Sequence, residues 1–412
     1  FIIFPSNLEP PPPASLHPNN SSSQPILINP TPPIHRHSRF SSTVTEAPQP
    51  ERLGLATLRP SPATQRPDPA SAWPRLATRW PNLVVAWPDL ATPWQIWPRK
   101  TLDHRMRWWC SDSVQKYAVV TGGNKGIGLE ICRQLASKGI SVVLTARNEK
   151  KGAEAVDKLK KSGLSDFVMF HQLDILDLES CSVLAEFIKS QIGKLDILVN
   201  NAGVSGIISE DADAFSTALV GVLGSSGGTK DNWNDVVIQT YDLAASTLET
   251  NYYGAKRTIE ALLPLLQLSD SPRIVNVSSQ MGKLKYIPNE SVKGLLNDVE
   301  NLTEERIDEL LDEFLKDFKE GSIEAKGWPQ YFGAYIVSKA AMNAYTRILA
   351  KIYPSFRIHC VCPGYVKTDM TYNTGILTVE EGAETPVGAA LLPDDGPTGL
   401  FLVRNEVSSF EE

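Results

Sequence analysis

The sequence predicts an α/β protein with a Rossmann-type, doubly wound parallel sheet. From about residue 116 onward, short apolar runs alternate with amphipathic stretches, as in "KYAVVTGG", "ISVVLTAR", "LDILVNNAG", "RIVNVSS" and "FRIHCVCPG". Apolar strands separated by helices are typical of a parallel sheet that is covered on both faces. In addition, a glycine-rich turn, "TGGNKGIG", joins the first of these strands to the first helical stretch.

Residues 1–105 differ in composition from the rest of the chain. Twenty-one of the thirty prolines lie in the first hundred residues, and sequence of this kind does not sustain helices or sheets. Tryptophan recurs every seven residues from Trp73 to Trp94, but the interspersed prolines exclude a coiled coil. We therefore predict a disordered segment over 1–105 and one folded domain over 106–412. The interpretations of the segment that stay open are a recognition arm, a plastid transit peptide, an unstructured tail, or sequence that is not naturally translated. The last is suggested by the first methionine, which is Met106.

The composition excludes several classes of protein. The net charge of −7 gives no indication of a nucleic-acid-binding surface, and no apolar run reaches the length of a membrane span. Five cysteines are dispersed without a Cys-x-x-Cys pair, which indicates a reducing compartment rather than a disulfide framework. No cluster has metal-ligand spacing, so no metal site is predicted. We expect a cytoplasmic protein, or a plastid one if residues 1–105 are a genuine transit segment.

The glycine-rich turn predicts a nucleotide site. Gly122, Gly126 and Gly128 let the backbone turn tightly and approach a ligand. The helix that follows offers free amides and the positive end of its dipole to a pyrophosphate. The alternative is a glycine turn without a ligand. The position of the turn, directly between a strand and a helix, favours the nucleotide.

Two tyrosine–lysine pairs are candidates for acid–base chemistry. Tyr335 precedes Lys339 in "AYIVSKAA", and Tyr252 precedes Lys256 in "NYYGAK", each with the spacing that places both side chains on one face of a helix. A tyrosine hydroxyl has a pKa of about 10 in water, and an ammonium beside it favours the phenolate and lowers that pKa. Spacing alone does not decide between the pairs.

Four motifs follow one another along the chain. They are Thr121-Gly-x-x-x-Gly-x-Gly128, "NNAG" over 200–203, the Tyr335 motif, and "PGYVKT" over 363–368. In spacing and order they resemble the signatures of the short-chain dehydrogenase/reductase family, over essentially residues 114–412. The resemblance implies a nicotinamide coenzyme. It assigns coenzyme contacts to Thr121, Gly122, Asn124, Lys125, Gly126, Ile127, Gly128, Asp174, Asn201, Ala202, Gly203, Tyr335, Lys339, Pro363, Gly364, Val366 and Thr368.

The end of the second predicted strand bears on the choice of coenzyme. NAD-binding proteins typically place an acid there for the ribose 2′-hydroxyl, whereas this chain has Arg147 in "TARNE". Together with Lys125 in the glycine-rich turn, Arg147 offers two cations to a 2′-phosphate, which a carboxylate would repel. Glu149 is the competing residue, but it lies two positions later, in what is predicted to be the next helix. The pattern favours NADPH.

The resemblance also implies catalytic residues. In the family a serine, a tyrosine and a lysine act on the carbonyl group, and an asparagine supports a proton-relay water. The tyrosine motif belongs to the helix after the serine strand, which assigns Tyr335 and Lys339 rather than the earlier pair. The serine is assigned to Ser279, with Ser278 as the near alternative, because only one of two neighbours on a strand faces a given side. Asn251 in "TNYYGAKR" matches the asparagine.

One departure from the basic family pattern is large. Fifty-five residues separate Ser279 from Tyr335, far more than in most relatives. The insert, residues 284–330, predicts a helix from an N-cap at Thr303 to a stop at Gly321. Its apolar stripe predicts a lid beside the mouth of the substrate site, and the alternative is a helix packed on the body of the domain with no role at the site. The stripe consists of Ile307, Leu310, Leu311, Phe314, Leu315 and Phe318.

The insert and a second enlargement over 205–240 are similar to features of one plant branch of the family, which contains neomenthol dehydrogenase, menthone reductase and salutaridine reductase. This resemblance implies an NADPH-dependent carbonyl reductase, running reversibly as an alcohol dehydrogenase, for a cyclic apolar ketone of the terpenoid or alkaloid kind. It also implies a monomer, because in that branch the insert blocks the usual oligomer contact. Members with a glutamate at the tyrosine position reduce a C=C bond, whereas Tyr335 is intact here. The alternative is a catalytically inactive nucleotide-binding regulatory protein of the same fold.

Overall fold

A computed structural model describes residues 115–223 and 236–412, and the segment predicted over 1–105 lies outside them. The strands are β1 (Tyr117–Val120), β2 (Ser141–Ala146), β3 (Val168–Gln172), β4 (Ile197–Asn200), β5 (Arg273–Val277), β6 (Arg357–Cys362), β7 (Leu400–Val403) and β8 (Glu406–Ser408). Within the described ranges they form one eight-stranded sheet in the order β3-β2-β1-β4-β5-β6-β7-β8. Neighbouring strands are parallel except for β7 and β8. The predicted Rossmann-type sheet is confirmed.

Helices connect the strands and cover both faces of the sheet. They are α1 (Gly126–Ser137), α2 (Glu149–Leu159), α3 (Leu178–Gln191), α4 (Ala212–Leu223), α5 (Tyr241–Leu248), α6 (Gly254–Leu266), α7 (Glu290–Asn297), α8 (Glu304–Lys319), α9 (Gly333–Ile352) and α10 (Val379–Ala390). A π-helical turn, Glu249–Tyr253, joins α5 to α6. In the part of the chain that the structure describes, no helix has the length and apolarity needed to cross a membrane.

Side chains alternate along each strand between two apolar cores, one on each face of the sheet. In β1, Val119 belongs to the core formed with α3, α6 and α9, whereas Ala118 and Val120 belong to the core formed with α1, α2 and α10. All three side chains are fully buried. Because both faces require apolar residues, the strands appear in the sequence as continuous apolar runs.

The carboxyl ends of β1, β4 and β5 meet at one edge of the sheet. In the register of the sheet, Val120 lies beside Val199, and Asn200 lies beside Asn276. The order of the strands reverses between β1 and β4, since β2 and β3 lie on one side and β5 to β7 on the other. A reversal of this kind is where open α/β sheets bind their ligands. The glycine-rich turn after β1 and the "NNAG" segment after β4 are therefore neighbours across this crevice.

The predicted helix of the insert is confirmed. α8 follows Thr303, whose hydroxyl accepts the backbone N–H of Arg306 at 3.3 Å, and Gly321 comes after the helix with a φ of 69°. The central residues of the apolar stripe are buried in the core that contains α5 and α9, and α8 packs on both helices. These residues are Ile307, Leu310, Leu311 and Phe314. The stripe thus packs on the body of the domain, and the role of the insert as a lid beside the substrate mouth stays a prediction.

Leu311→Ala is expected to lower the free energy of unfolding by about 2–5 kcal/mol, because it leaves a cavity at a fully buried position. The KM for the substrate should change little, since the Leu311 side chain is fully buried in the core and does not reach the surface. Thermal unfolding and steady-state kinetics measure the two effects. The matched control is Glu313→Ala on the exposed face of α8, with an expected cost below about 0.5 kcal/mol. A raised KM at an unchanged melting temperature would instead support the interpretation of the insert as a lid over the substrate mouth.

Candidate active site

The glycine-rich turn has the shape of a cradle for a nucleotide. Gly126 has a φ of 54°, a left-handed conformation that L side chains rarely adopt. Gly128 packs so closely that an added Cβ would lie 2.4 Å from the Asn201 Nδ2 atom and 2.5 Å from the Gly122 carbonyl oxygen. α1 begins at Gly126 without a side-chain cap from Lys125, so its first amides are available to an anion. This backbone fits a pyrophosphate.

The side chains of Thr121 and Asn201 hold the turn against the "NNAG" segment. The Thr121 hydroxyl accepts the backbone N–H groups of Asn201 and Ala202, both at 3.0 Å. In return, the Asn201 side-chain amide donates to the carbonyl oxygens of Thr121 at 2.9 Å and of Gly122 at 3.3 Å. These two predicted coenzyme residues therefore form the frame of the site, and their side chains are already engaged by the protein.

Three further predicted coenzyme residues lie after β1 and β3. Asn124 is half-buried within the glycine-rich turn, and Ile127 packs against the core on the α1 side of the sheet. Asp174 follows β3 and is half-buried, and its carboxylate accepts the N–H of Leu176 at 3.1 Å. Each of the three residues keeps part of its surface at the edge of the sheet where the nucleotide is expected.

The segment after β6 crosses over the glycine-rich turn. Pro363 and Gly364 follow the strand directly and are half-buried. Val366 is 2% exposed and its side chain packs against α10, so the side chain is not available for the predicted coenzyme contact. The methyl group of Thr368 lies 3.6 Å from the position that a Cβ on Gly126 would take. The segment and the glycine-rich turn therefore border the same crevice.

The predicted cations are present, but one of them is already paired. Arg147 is exposed after β2, and Glu149 is the first residue of α2, as predicted. The Lys125 Nζ atom lies 2.6 Å from the Asp369 carboxylate. The positive charge of Lys151, in the first turn of α2, also acts on Asp369. Sequence reasoning missed Lys151, because a lysine at that helix position predicts only a solvated surface charge.

Ser278 and Ser279 face different surroundings at the end of β5. Ser278 is 3% exposed and donates to the Asn343 Oδ1 atom at 2.7 Å, within the packing of α9. Ser279 is half-buried, and its hydroxyl makes a hydrogen bond with the Tyr335 hydroxyl and accepts the N–H of Met281 at 3.1 Å. The structure therefore brings Ser279, rather than Ser278, to the tyrosine.

Lys339 lies one helical turn after Tyr335 and is buried. Its Nζ atom donates to the Val277 carbonyl oxygen at 2.8 Å and lies 5.7 Å from the centroid of the Tyr335 ring. Burial lowers the pKa of Lys339 to about 8, although the nearby Cys362 acts in the opposite direction. The protein thus holds the ammonium close to the tyrosine, although burying this charge away from water costs free energy.

The pKa of Tyr335 departs from the sequence-based expectation. Burial raises the pKa of its hydroxyl to about 12, although the hydrogen bond from Ser279 lowers it. The predicted direction, a pKa lowered by Lys339, is therefore wrong. Removal of the hydroxyl from water outweighs the ammonium, whose hydrogen bond goes to the Val277 carbonyl. Tyr335 is a neutral hydroxyl at physiological pH, which is the form that can donate a proton.

Asn251 joins the "NNAG" segment to α9. Its Oδ1 atom accepts the N–H of Val204 at 2.8 Å, and its Nδ2 atom donates to the Val204 carbonyl at 3.0 Å and to the Ser338 hydroxyl at 3.1 Å. A Cβ on Gly203 would lie 3.1 Å from Asn251 Oδ1 and 3.6 Å from Lys339 Nζ. Asn251 lies in the π-helical turn, a feature that is frequent at functional sites. The predicted asparagine and lysine thus converge on the end of β4.

The second tyrosine–lysine pair is used for packing. Tyr252 is 1% exposed, and burial raises its pKa far above that of a free tyrosine. Lys256 lies 3.0 Å from the Asp308 carboxylate and 3.3 Å from that of Glu304, both on α8. Through these ion pairs the second tyrosine–lysine pair holds the insert against α6, and the insert covers the pair.

Comparisons with known proteins place the chain in a family. The family model described as short chain dehydrogenase matches residues 116–291, and the one described as Enoyl-(Acyl carrier protein) reductase matches residues 321–409. The chain is 59% identical over 298 residues to Short-chain dehydrogenase/reductase 1 of Saponaria officinalis, which covers 72% of this chain and 97% of that protein. The chain belongs to the short-chain dehydrogenase/reductase family.

Two plant proteins are also similar to this short-chain dehydrogenase/reductase over about seven-tenths of its length. The chain is 55% identical over 303 residues to (+)-neomenthol dehydrogenase of Arabidopsis thaliana, covering 73% of this chain and 100% of that protein. The solved structure of salutaridine reductase from Papaver somniferum has a TM-score of 0.64 at 54% identity, covering 70% of this chain and 99% of that one. The predicted resemblance is confirmed, and the protein is an oxidoreductase of this family.

Sequence reasoning missed an aromatic cluster beside the tyrosine of this short-chain dehydrogenase/reductase. The Phe215 ring lies 4.8 Å from that of Tyr372 and 6.2 Å from that of Phe332, and the Phe332 ring lies 6.5 Å from that of Tyr335. Phe332 and Tyr372 have φ values of 54° and 51°, which are unusual for bulky side chains. The Tyr372 hydroxyl accepts the N–H of Ser209 at 2.7 Å. Single aromatic residues far apart in the chain give no sequence pattern, so only the fold joins them.

Proposed function

We propose that this protein is an NADPH-dependent carbonyl reductase that interconverts a cyclic, mostly apolar ketone and its secondary alcohol. The proposal is carried by the convergence of the Ser279 and Tyr335 hydroxyls and the Lys339 ammonium beside Gly203. Ketone reduction needs a proton donor for the oxygen and a second hydrogen-bond donor that holds this oxygen. It also needs a positive charge that stabilises the proton donor after it has lost its proton. These three side chains supply those functions.

The proposed mechanism assigns one role to each side chain. Ser279 donates a hydrogen bond to the carbonyl oxygen and holds it at the Tyr335 hydroxyl. Tyr335 transfers its proton to that oxygen while negative charge develops there, and the phenolate regains a proton from solvent. The Lys339 ammonium stabilises the phenolate between these two events. Bound NADPH supplies the hydride that the carbonyl carbon receives.

The coenzyme is proposed from the backbone cradle and its cations. The turn from Gly122 to Gly128 would hold the pyrophosphate, and the 363–368 segment would cover it. Lys125 and Arg147 would bind the 2′-phosphate that distinguishes NADPH from NADH. Lys151 adds a third positive charge near the same place.

The substrate class is proposed from the relatives and from the aromatic cluster. The similar plant proteins are named for neomenthol, a cyclic terpenoid alcohol, and for salutaridine, an alkaloid. The Phe332 ring packs beside Tyr335 and is 5% exposed, so the protein around the proton donor is apolar, as a binding site for such ring systems would be. The test is NADPH oxidation by the full chain with monoterpene, steroid, alkaloid and simple aromatic ketones. Turnover is expected with cyclic ketones, whereas NADPH binding without turnover on any ketone would favour the inactive regulatory protein.

Arg147→Asp should shift coenzyme preference toward NADH. We expect the unaltered enzyme to have a higher kcat/KM with NADPH than with NADH. In the variant, the kcat/KM with NADPH divided by the kcat/KM with NADH should fall about tenfold, because a carboxylate replaces a cation near the 2′-phosphate. The matched control is Arg404→Asp, an exposed residue between β7 and β8 with the same change in charge. Equal use of both coenzymes by the unaltered enzyme would contradict the assignment of Arg147.

We also propose that the enzyme is a monomer. Through Lys256, α6 is ion-paired with Glu304 and Asp308, so the insert occupies a face of α6 that would otherwise be open to a second chain. Sedimentation equilibrium of the full chain tests this proposal. A stable dimer at micromolar concentration would contradict it.

A further inference from the structure

Asp369 is paired with the lysine to which the proposed function assigns the coenzyme phosphate. The Asp369 Oδ2 atom lies 2.6 Å from the Lys125 Nζ atom, and the two side chains are 70% and 67% exposed. The two residues are 244 positions apart in the chain. Their contact therefore spans the crevice between the glycine-rich turn and the segment after β6.

The local backbone presents Asp369 to the lysine. Asp369 begins a 3₁₀ turn, Asp369–Thr371, in which Thr371 and Thr368 cap each other. The Thr371 hydroxyl donates to the Val366 carbonyl oxygen at 2.7 Å. Directly after the turn, Tyr372 is anchored by its hydrogen bond from Ser209 and by the Phe215 ring. The carboxylate is thus held on a braced turn.

The cations around the Asp369 carboxylate favour its ionised form. The hydrogen bond and the charge of Lys125 lower the pKa of Asp369, and the charge of Lys151 acts in the same direction. A 2′-phosphate carries close to two negative charges at neutral pH. It would therefore meet a lysine that already has an anionic partner, and it would be repelled by that partner.

We propose that Asp369 weakens NADP(H) binding by competing with the 2′-phosphate for the Lys125 ammonium, and that it thereby sets the coenzyme affinity of this enzyme. This inference rests on the proposed NADPH specificity. It concerns the 2′-phosphate only, so ligands without that phosphate should not respond to Asp369. The competition favours release of NADP⁺ after each turnover.

The test measures binding rather than turnover. Isothermal titration calorimetry of the full chain compares adenosine 2′,5′-bisphosphate, which carries the distinguishing phosphate, with 5′-AMP, which lacks it. Asp369→Asn should lower the Kd for the bisphosphate by about three- to tenfold, the range expected for an exposed ion pair together with a removed repulsion. The Kd for 5′-AMP should stay the same, and the melting temperature should be nearly unchanged.

Two controls isolate the competition. In the Lys125→Met background, Asp369→Asn should have much less effect on the Kd for the bisphosphate, because the contested ammonium is gone. Asp395→Asn removes an exposed acid elsewhere on the surface and should leave both Kd values as they are.

Three outcomes would overturn the inference. An unchanged or raised Kd for the bisphosphate in Asp369→Asn would show that the carboxylate does not compete. An equal gain for 5′-AMP would show a general charge effect. An undiminished gain in the Lys125→Met background would show that the effect bypasses the lysine. Failure of the NADPH specificity would be seen separately, as equal Kd values for the two ligands in the unaltered protein.

Discussion

Tyr335→Phe is expected to lower kcat for ketone reduction by about 10²–10⁴-fold, the usual contribution of a general acid. Phenylalanine keeps the ring, and with it the contact to Phe332, but it lacks the hydroxyl that meets Ser279. NADPH binding should therefore be nearly unchanged. Single-turnover kinetics and a fluorescence titration of NADPH separate the two quantities.

Tyr252→Phe is the matched control, because Tyr252 starts the other tyrosine–lysine pair. Its ring is enclosed between α6 and α9, and its lysine partner binds the carboxylates of α8. We expect kcat to stay close to that of the unaltered enzyme. If Tyr252→Phe were inactive and Tyr335→Phe were active, the roles of the two pairs would be reversed.

Lys339→Met is expected to lower kcat by about 10²-fold or more, since the charge that stabilises the phenolate is lost. The pH dependence gives a sharper signature. Burial lowers the pKa of Lys339 to about 8, so the ammonium is present below that pH and is lost above it. The kcat/KM for NADPH, which reports ionisations of the free enzyme, should fall as the pH rises through about 8. This fall should be absent in Lys339→Met.

The Lys339 ammonium supports activity below about pH 8, but in the same pH range it destabilises the fold. Because the pKa of this lysine is lower in the folded chain than in the unfolded chain, its burial as a cation destabilises the protein below about pH 8. This penalty decreases as the pH rises from about 8 toward the ordinary lysine value. Lys339→Met should therefore be at least as stable as the unaltered protein at neutral pH. A variant that was both inactive and much less stable would indicate a structural role instead.

Much of the fold was predictable because it depends on local sequence patterns. Continuous apolar runs between amphipathic stretches predicted a parallel sheet, since each strand has to satisfy a core on both faces. The helix of the insert was predictable from its cap at Thr303 and its apolar period. The position of the glycine-rich turn followed from the strand before it and the helix after it.

The sequence could not decide questions that depend on what packs against a given side chain. Ser278 and Ser279 have the same chemistry, and only the position of α9 determines that Ser278 meets Asn343 while Ser279 meets Tyr335. The predicted direction of the pKa shift of Tyr335 was wrong for a similar reason. The spacing to the lysine is visible in the sequence, whereas the loss of water around the hydroxyl is not.

The sequence by itself determined the fold class, the order of the motifs and the residue types at the site, because these follow from periodicity and from contacts within a few positions. The tertiary structure alone decided which groups meet. It placed the α8 stripe on the body of the domain, and it brought Asp369 to Lys125 across 244 positions of chain. It also joined Phe215, Phe332 and Tyr372 into one cluster. Contacts of this kind depend on how distant segments pack, and that packing has no signature in any single stretch of sequence.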